Sequence, residues 1–217
     1  MSLLMFICLD DAVQVITDTL VSDGETREPV MYHHKVRAFP QLDMLAVVTG
    51  FANFGDHWFT RLGQIPGLRD IEDVNRVAGA ELPEIYQQWQ DYYAPKDIGT
   101  STVYLFGFTA ESEKIVRYVY RSPKGFDSER SEGICDFAVK PPPQQFELVA
   151  PEDDQAIIDL AVKLRDENDN GRTDGPVAIG GDLYRTFMMR GQTVTERMHR
   201  WPDHSDMLEQ MKHINYV

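Results

Sequence analysis

MSLLMFICLDDAVQVITDTL, residues 1–20, holds two strand-length apolar runs separated by Asp10 and Asp11. Residues 3 to 9 are continuously apolar and residues 12 to 18 are β-rich, so the acidic pair reads as the turn of a hairpin. With a two-residue loop, Leu9 faces Ala12, Met5 faces Ile16 and Leu3 faces Asp18, which brings Ser2 beside Asp18 and Thr19. An uninterrupted apolar strand needs cover on both faces, unlike the alternating strand of a sheet with one solvated side. Terminal residues usually fray in water. A buried first strand is therefore either an ordinary way to order that end or a sign that the end is itself a reagent.

Working outward, "MYHHKVRAF" (31–39) and "LDMLAVVTG" (42–50) read as two more strands separated by Pro40. "GDHWFTRLGQI" (55–65) follows as an amphipathic helix with Asp56 near its start. A second helical zone at 70–92 carries Ile71, Val74, Ala78, Leu82, Ile85 and Trp89 at helical spacing. "STVYLFGFTA" and "EKIVRYVYRS" predict a hairpin turning around Glu111-Ser112-Glu113, followed by a surface loop, "SPKGFDSERSEG". After a proline run at 141–143, residues 152–168 predict a helix with Asp153 and Asp154 at its positive end. A last hairpin turns at Arg190-Gly191-Gln192, and residues 204–214 close with a short helix. The strand and helix order lacks the regular alternation of a doubly wound sheet. It predicts one α+β domain over residues 1–217, a four-layer αββα sandwich of two antiparallel sheets flanked by helices.

Thirty-five acidic against twenty-one basic side chains give a formal charge of −14, which repels a phosphate backbone and argues against nucleic acid as a partner. No stretch reaches the roughly 20 apolar residues of a membrane helix, so no membrane partner is expected. The apolar opening has no basic region before it and does not read as a signal peptide. Cys8 and Cys135 are far apart in sequence and form no metal-spaced motif. They fit a reducing, cytoplasmic setting rather than a disulfide framework, with Cys8 a buried strand residue.

Four segments together resemble the amino-terminal half of proteasome β-type subunits and their bacterial relatives in the N-terminal nucleophile hydrolase superfamily: residues 2–19, the Asp of "TDT", the "HHKVRAF" strand, and "LAVVTGFANFGDHWFTRL". The resemblance covers roughly residues 2–65 and implies the same αββα sandwich. It also implies roles. Ser2, once Met1 is removed, would be the nucleophile, with its own α-amine as base; such an amine titrates near ~7.7 to 8.0 and can take a proton at neutral pH. Asp18 would orient the site, Lys35 would favour the deprotonated nucleophile, and the Gly50 N–H would bind the oxyanion. The implied substrate is a peptide or small amide, and the implied partner a copy of the same chain. A non-enzymatic scaffold or binding subunit that keeps Met1 is the alternative. On spacing alone, Asp18 equally caps a turn and Lys35 is equally a surface charge.

No cofactor or metal is expected. His33 and His34, adjacent on a predicted strand, would point to opposite faces, one exposed and one half-buried. In residues 166–177, Asp166, Asn168, Asn170 and Gly171 fit half of a calcium loop, but Val177 stands where a bidentate Glu is needed, so the segment reads as a helix-ending turn. Gly180-Gly181 lacks the further glycines of a nucleotide fingerprint and suggests a bulge or close backbone approach. Ser122, Ser128 and Asp127 have no histidine nearby in sequence, and nothing supports a serine triad there.

Overall fold

Met5 lies opposite Ile16 and Leu4 opposite Thr17, and the Leu9 N–H donates to Ala12 O at 2.8 Å, which is the register expected of the short acidic turn. In this computed structural model the described residues are 3–171 and 177–212; Met1 and Ser2 lie outside them. The elements run in order as β1 Leu4–Cys8, β2 Ala12–Asp18, β3 Leu20–Ser22, β4 Pro29–Tyr32, β5 Val36–Phe39, β6 Met44–Thr49, α1 Ala52–Leu62 and α2 Ile71–Tyr93. They continue as β7 Thr102–Thr109, β8 Ser112–Arg121, β9 Ser128–Glu132, β10 Cys135–Lys140, α3 Asp154–Asp169, β11 Asp182–Met189, β12 Gln192–Arg200 and α4 His204–Met211.

Two five-stranded sheets, ordered β10-β1-β2-β11-β12 and β5-β6-β7-β8-β9, are antiparallel throughout, with β3-β4 as a separate two-stranded ribbon. Three cores stack the layers. Leu4, Phe6, Val13 and Val15 meet Leu45, Val47, Phe106 and Val119 between the sheets. Leu3, Met5 and Ile16 pack on Ile157, Leu160, Ala161 and Leu164 of α3. Met44, Ala46, Val103 and Tyr118 pack on Phe54, Trp58, Val74 and Leu82 of α1 and α2. The continuous apolar run of β1 is thereby explained. Leu3 and Met5 belong to the helix side and Leu4, Phe6 and Cys8 to the sheet side, and only Ile7, half-buried, keeps part of its surface open.

The result is the αββα sandwich read from the sequence. Asp70 caps α2 by accepting from the Glu72 and Asp73 N–H groups, each at 3.0 Å. Among the described residues no helix is long and apolar enough to cross a membrane.

Several local expectations are corrected. "MYHHKVRAF" is not one strand: β4 ends at Tyr32 and β5 starts at Val36, and His33–Lys35 bridge from the ribbon to the main sheet. The half-buried His33 and exposed His34 follow from that bridge and not from strand alternation. Asp56 sits inside α1, which begins at Ala52. The β7–β8 turn falls at Ala110-Glu111, because Thr109 pairs with Ser112. Part of the expected surface loop, Ser128–Glu132, is an edge strand on β8, and Cys135–Lys140 pairs with β1.

Candidate active site

Antiparallel pairing sends the start of β1, the end of β2, the start of β5, the end of β6, the start of β7 and the end of β10 to one end of the sandwich. At that end Asp18 is fully buried and Lys35 is 7% exposed, and the Lys35 ammonium donates directly to Asp18 Oδ1. The same oxygen accepts the Leu3 N–H at 3.0 Å, and Oδ2 accepts the Gly180 N–H at 3.1 Å. Two backbone donors and one ammonium thus satisfy a carboxylate that has lost all contact with water, the condition under which a buried charge is tolerated. Burial pushes the Lys35 ammonium below the usual lysine range, and the facing Asp18 carboxylate works against that.

Asp18 as a turn cap and Lys35 as a surface charge are both corrected by this pairing. A segment that sequence reasoning treated only as a close approach holds the pair from behind. Thr19 and Leu20 donate to Gly180 O, and the Asp182 N–H donates to Thr19 Oγ1 at 2.9 Å. A Cβ on Gly181, whose φ is +80°, would lie 2.3 Å from Thr19 Oγ1, so only glycine fits there.

Gly50 follows β6 at the same end, with φ +113°, and a Cβ there would lie 2.3 Å from Thr100 O. The Phe51 N–H donates to Ser101 Oγ at 3.2 Å, which fixes this turn against the segment entering β7. No hydrogen bond or ion pair joins Gly50 to Asp18 or Lys35. The link to the chain start runs through Lys140, which sequence reasoning missed. Its Nζ donates to Thr49 Oγ1 at 2.9 Å and Thr102 Oγ1 at 3.0 Å, and its Cα pairs with Leu4. Burial pushes the Lys140 ammonium down to about 8, helped by the nearby Arg121 charge.

Elsewhere, His33 Nε2 lies 3.1 Å from Asp56 Oδ1, and His34 packs edge-on against Tyr184. No cluster of three His, Cys, Asp or Glu side chains able to hold a metal occurs among the described residues. In the segment tested for calcium, Asn168 accepts the Val177 N–H at 2.9 Å and donates to Leu164 O at 2.7 Å, so its amide ties off α3; residues 172–176 lie outside the described residues. Cys8 and Cys135, distant in sequence, face each other across β1 and β10, and the Cys8 N–H donates to Cys135 Sγ at 3.1 Å.

With this geometry in place, solved structures of one kind cover nearly the whole chain. The helical assembly of the Anbu complex from Pseudomonas aeruginosa has a TM-score of 0.57 at 11% identity, over 97% of this chain and 91% of that one. Anbu (ancestral beta-subunit) from Yersinia bercovieri has a TM-score of 0.54 at 12% identity, over 97% and 91%. Anbu from Hyphomicrobium sp. strain MC1 has a TM-score of 0.51 at 10% identity, over 97% and 92%. What is shared is a distant proteasome-like fold. No protein-family model and no curated protein matches the chain. The resemblance to proteasome β-type subunits of the N-terminal nucleophile hydrolase superfamily is corrected accordingly. The likeness is to ancestral β-subunit proteins, and at 10 to 12% identity it is one of fold and not a family assignment.

Proposed function

We propose that the chain is an amide- or peptide-bond hydrolase in which Ser2, freed of Met1, is the nucleophile and its own α-amine the base. The single observation that carries this reading is the bond from the Leu3 N–H to the buried Asp18 carboxylate that also holds Lys35. It fixes the backbone one residue from Ser2 against a fixed positive charge. A buried ion pair is a poor stabiliser compared with apolar residues of the same volume. Its place at the chain start is better accounted for by the electrostatics it supplies there.

In the proposed reaction the Ser2 hydroxyl attacks the amide carbonyl and its proton passes to the Ser2 amine. Lys35 stabilises the alkoxide character of the attacking oxygen, while Asp18 holds Lys35 in position. The tetrahedral oxyanion is received by the Gly50 N–H, and the protonated amine then gives its proton to the leaving amine. Water hydrolyses the resulting Ser2 ester by the same route in reverse.

The test is intact mass of untagged protein followed by turnover of a peptide and acyl-amide panel. Loss of Met1 together with turnover that Ser2→Ala abolishes supports the reading. Complete retention of Met1 leaves the Ser2 amine acylated and favours a scaffold or binding subunit instead. We infer self-association as well, supported by the assembly of a structural neighbour and by Tyr92, 75% exposed on α2 beside half-buried Trp89. Light scattering at micromolar concentration tests it, and a monomer mass there would contradict it. We place the protein in the cytoplasm on its two unbridged thiols.

A further inference from the structure

Along β8 the residues alternate: Val116, Tyr118 and Tyr120 pack toward α2, while Ile115 and Val119 pack between the sheets. Arg117 and Arg121 share the parity of Ile115 and Val119, so two arginines point into the space between the sheets. On the opposing sheet Ala138 packs in the same layer, and Lys140, two residues on, shares its side. These three cations and Phe6, Tyr104 and Ser131 line a cleft of about 330 Å³ along the edge formed by β8, β9 and β10; a fourth cation, Arg130, also lines it and is paired with Glu72 and Glu132 outside the cleft. That volume suits a small ligand or a side chain rather than a macromolecular surface.

The charges do not balance. Glu129 is the only carboxylate among the described lining residues, and Arg121 is bonded to it. Arg117 and Lys140 have no carboxylate at ion-pair distance among the described residues. The Arg117 Nε is buried without a hydrogen-bond partner, and its guanidinium lies 5.3 Å from the centre of the Phe6 ring. Lys140 spends two of its three N–H donors on Thr49 and Thr102, leaving one. In a chain of net charge −14, like charges gathered in a partly dry cleft with donors unspent are the complement of an absent anion. The planar Arg117 fork matches a carboxylate.

We propose that this cleft binds the side-chain carboxylate of an acidic peptide substrate. The choice of a substrate group over a free anion comes from continuity. Lys140 bonds Thr49, the neighbour of Gly50, and pairs with Leu4, two residues from Ser2. The identification of the ligand as substrate rests on the hydrolase reading, whereas the anion site itself does not.

Calorimetric titration of the full chain carrying Ser2→Ala, so that nothing is turned over, separates the two. The probes are acetyl-Glu-Glu-amide, acetyl-Gln-Gln-amide and inorganic phosphate. The Glu peptide is expected to bind at least about tenfold tighter than the Gln peptide, the loss of one charge-assisted bond. Arg117→Gln and Lys140→Gln should each remove most of that preference. Arg117→Lys, which keeps the charge and the fold, should retain part of it and stands in if Lys140→Gln does not fold. Equal binding of the two peptides, or a preference indifferent to Arg117, overturns the proposal. Phosphate binding as tight as the Glu peptide overturns it in favour of a free-anion site. Arg117-dependent binding with no turnover by the unmodified chain would leave the cleft standing and remove the hydrolase. Turnover blind to peptide charge would do the converse.

Discussion

The buried Lys35 ammonium is joined to an Asp18 carboxylate that solvent does not reach, with Asp18 also accepting the Leu3 and Gly180 N–H groups. Removing either charge alone leaves its partner unpaired in the interior. Asp18→Asn or Lys35→Met should therefore cost about 3 to 5 kcal/mol in urea unfolding. The double variant should cost clearly less than the sum, since it removes both charges at once. Additive losses would show that the two side chains do not act as a pair.

Gly50 has a φ of +113°, and an added methyl would meet Thr100 O at 2.3 Å. Gly50→Ala should lower stability by about 2 kcal/mol or more through backbone strain and crowding. Gly67, also at positive φ but with open space around it, serves as the control. Gly67→Ala should cost only about 1 kcal/mol, the conformational part alone.

Cys135 and Cys8 should differ sharply toward alkylating reagents. Hydrogen bonds from Cys8, with a smaller contribution from the Arg117 charge, lower the Cys135 thiol to about 7, whereas the same contact and burial push Cys8 upward. Iodoacetamide should modify Cys135 with a rate that rises through pH 7, and Cys8 only after unfolding, as read by peptide mass mapping. A half-point near that of a free thiol would contradict the pairing.

Lys140 gives a pH signature. Its folded pKa of about 8 lies below the roughly 10.4 of an unfolded lysine, so between those values the unfolded chain holds more protons. Stability should therefore rise with pH across that window, by at most about 1.4 kcal/mol per unit from this group. Lys140→Met should flatten the rise. An unchanged slope would place the ammonium in water.

The opening hairpin was legible down to its register, because the two-residue turn at Asp10-Asp11 fixes which residues of the two strands lie opposite. Strands β9 and β10 were not. Ser128–Glu132 carries no apolar residue and is largely exposed, and Asp136 breaks the run of the half-buried Cys135–Lys140, so neither edge strand left a period-2 signal. Asp18 and Lys35 were found through a resemblance and not through their own properties, since a charge in a sequence bears no mark of burial. That resemblance named the right layers and overreached as a family assignment. Lys140 was invisible for the same reason, as only its pairing with Leu4 and its bonds to Thr49 and Thr102 set it apart from an ordinary loop lysine. The Gly180-Gly181 approach was legible because adjacent glycines with predicted strand on both sides leave little else to mean.

The most direct measurement is covalent trapping. Protein freed of Met1 is treated with a β-lactone, which a hydroxyl nucleophile opens to an ester without needing any particular substrate, and the adduct is located by peptide mass. The account predicts one adduct, on Ser2, lost in Lys35→Met. Protein with a free Ser2 amine that stays unmodified, or that reacts equally well without Lys35, would contradict it.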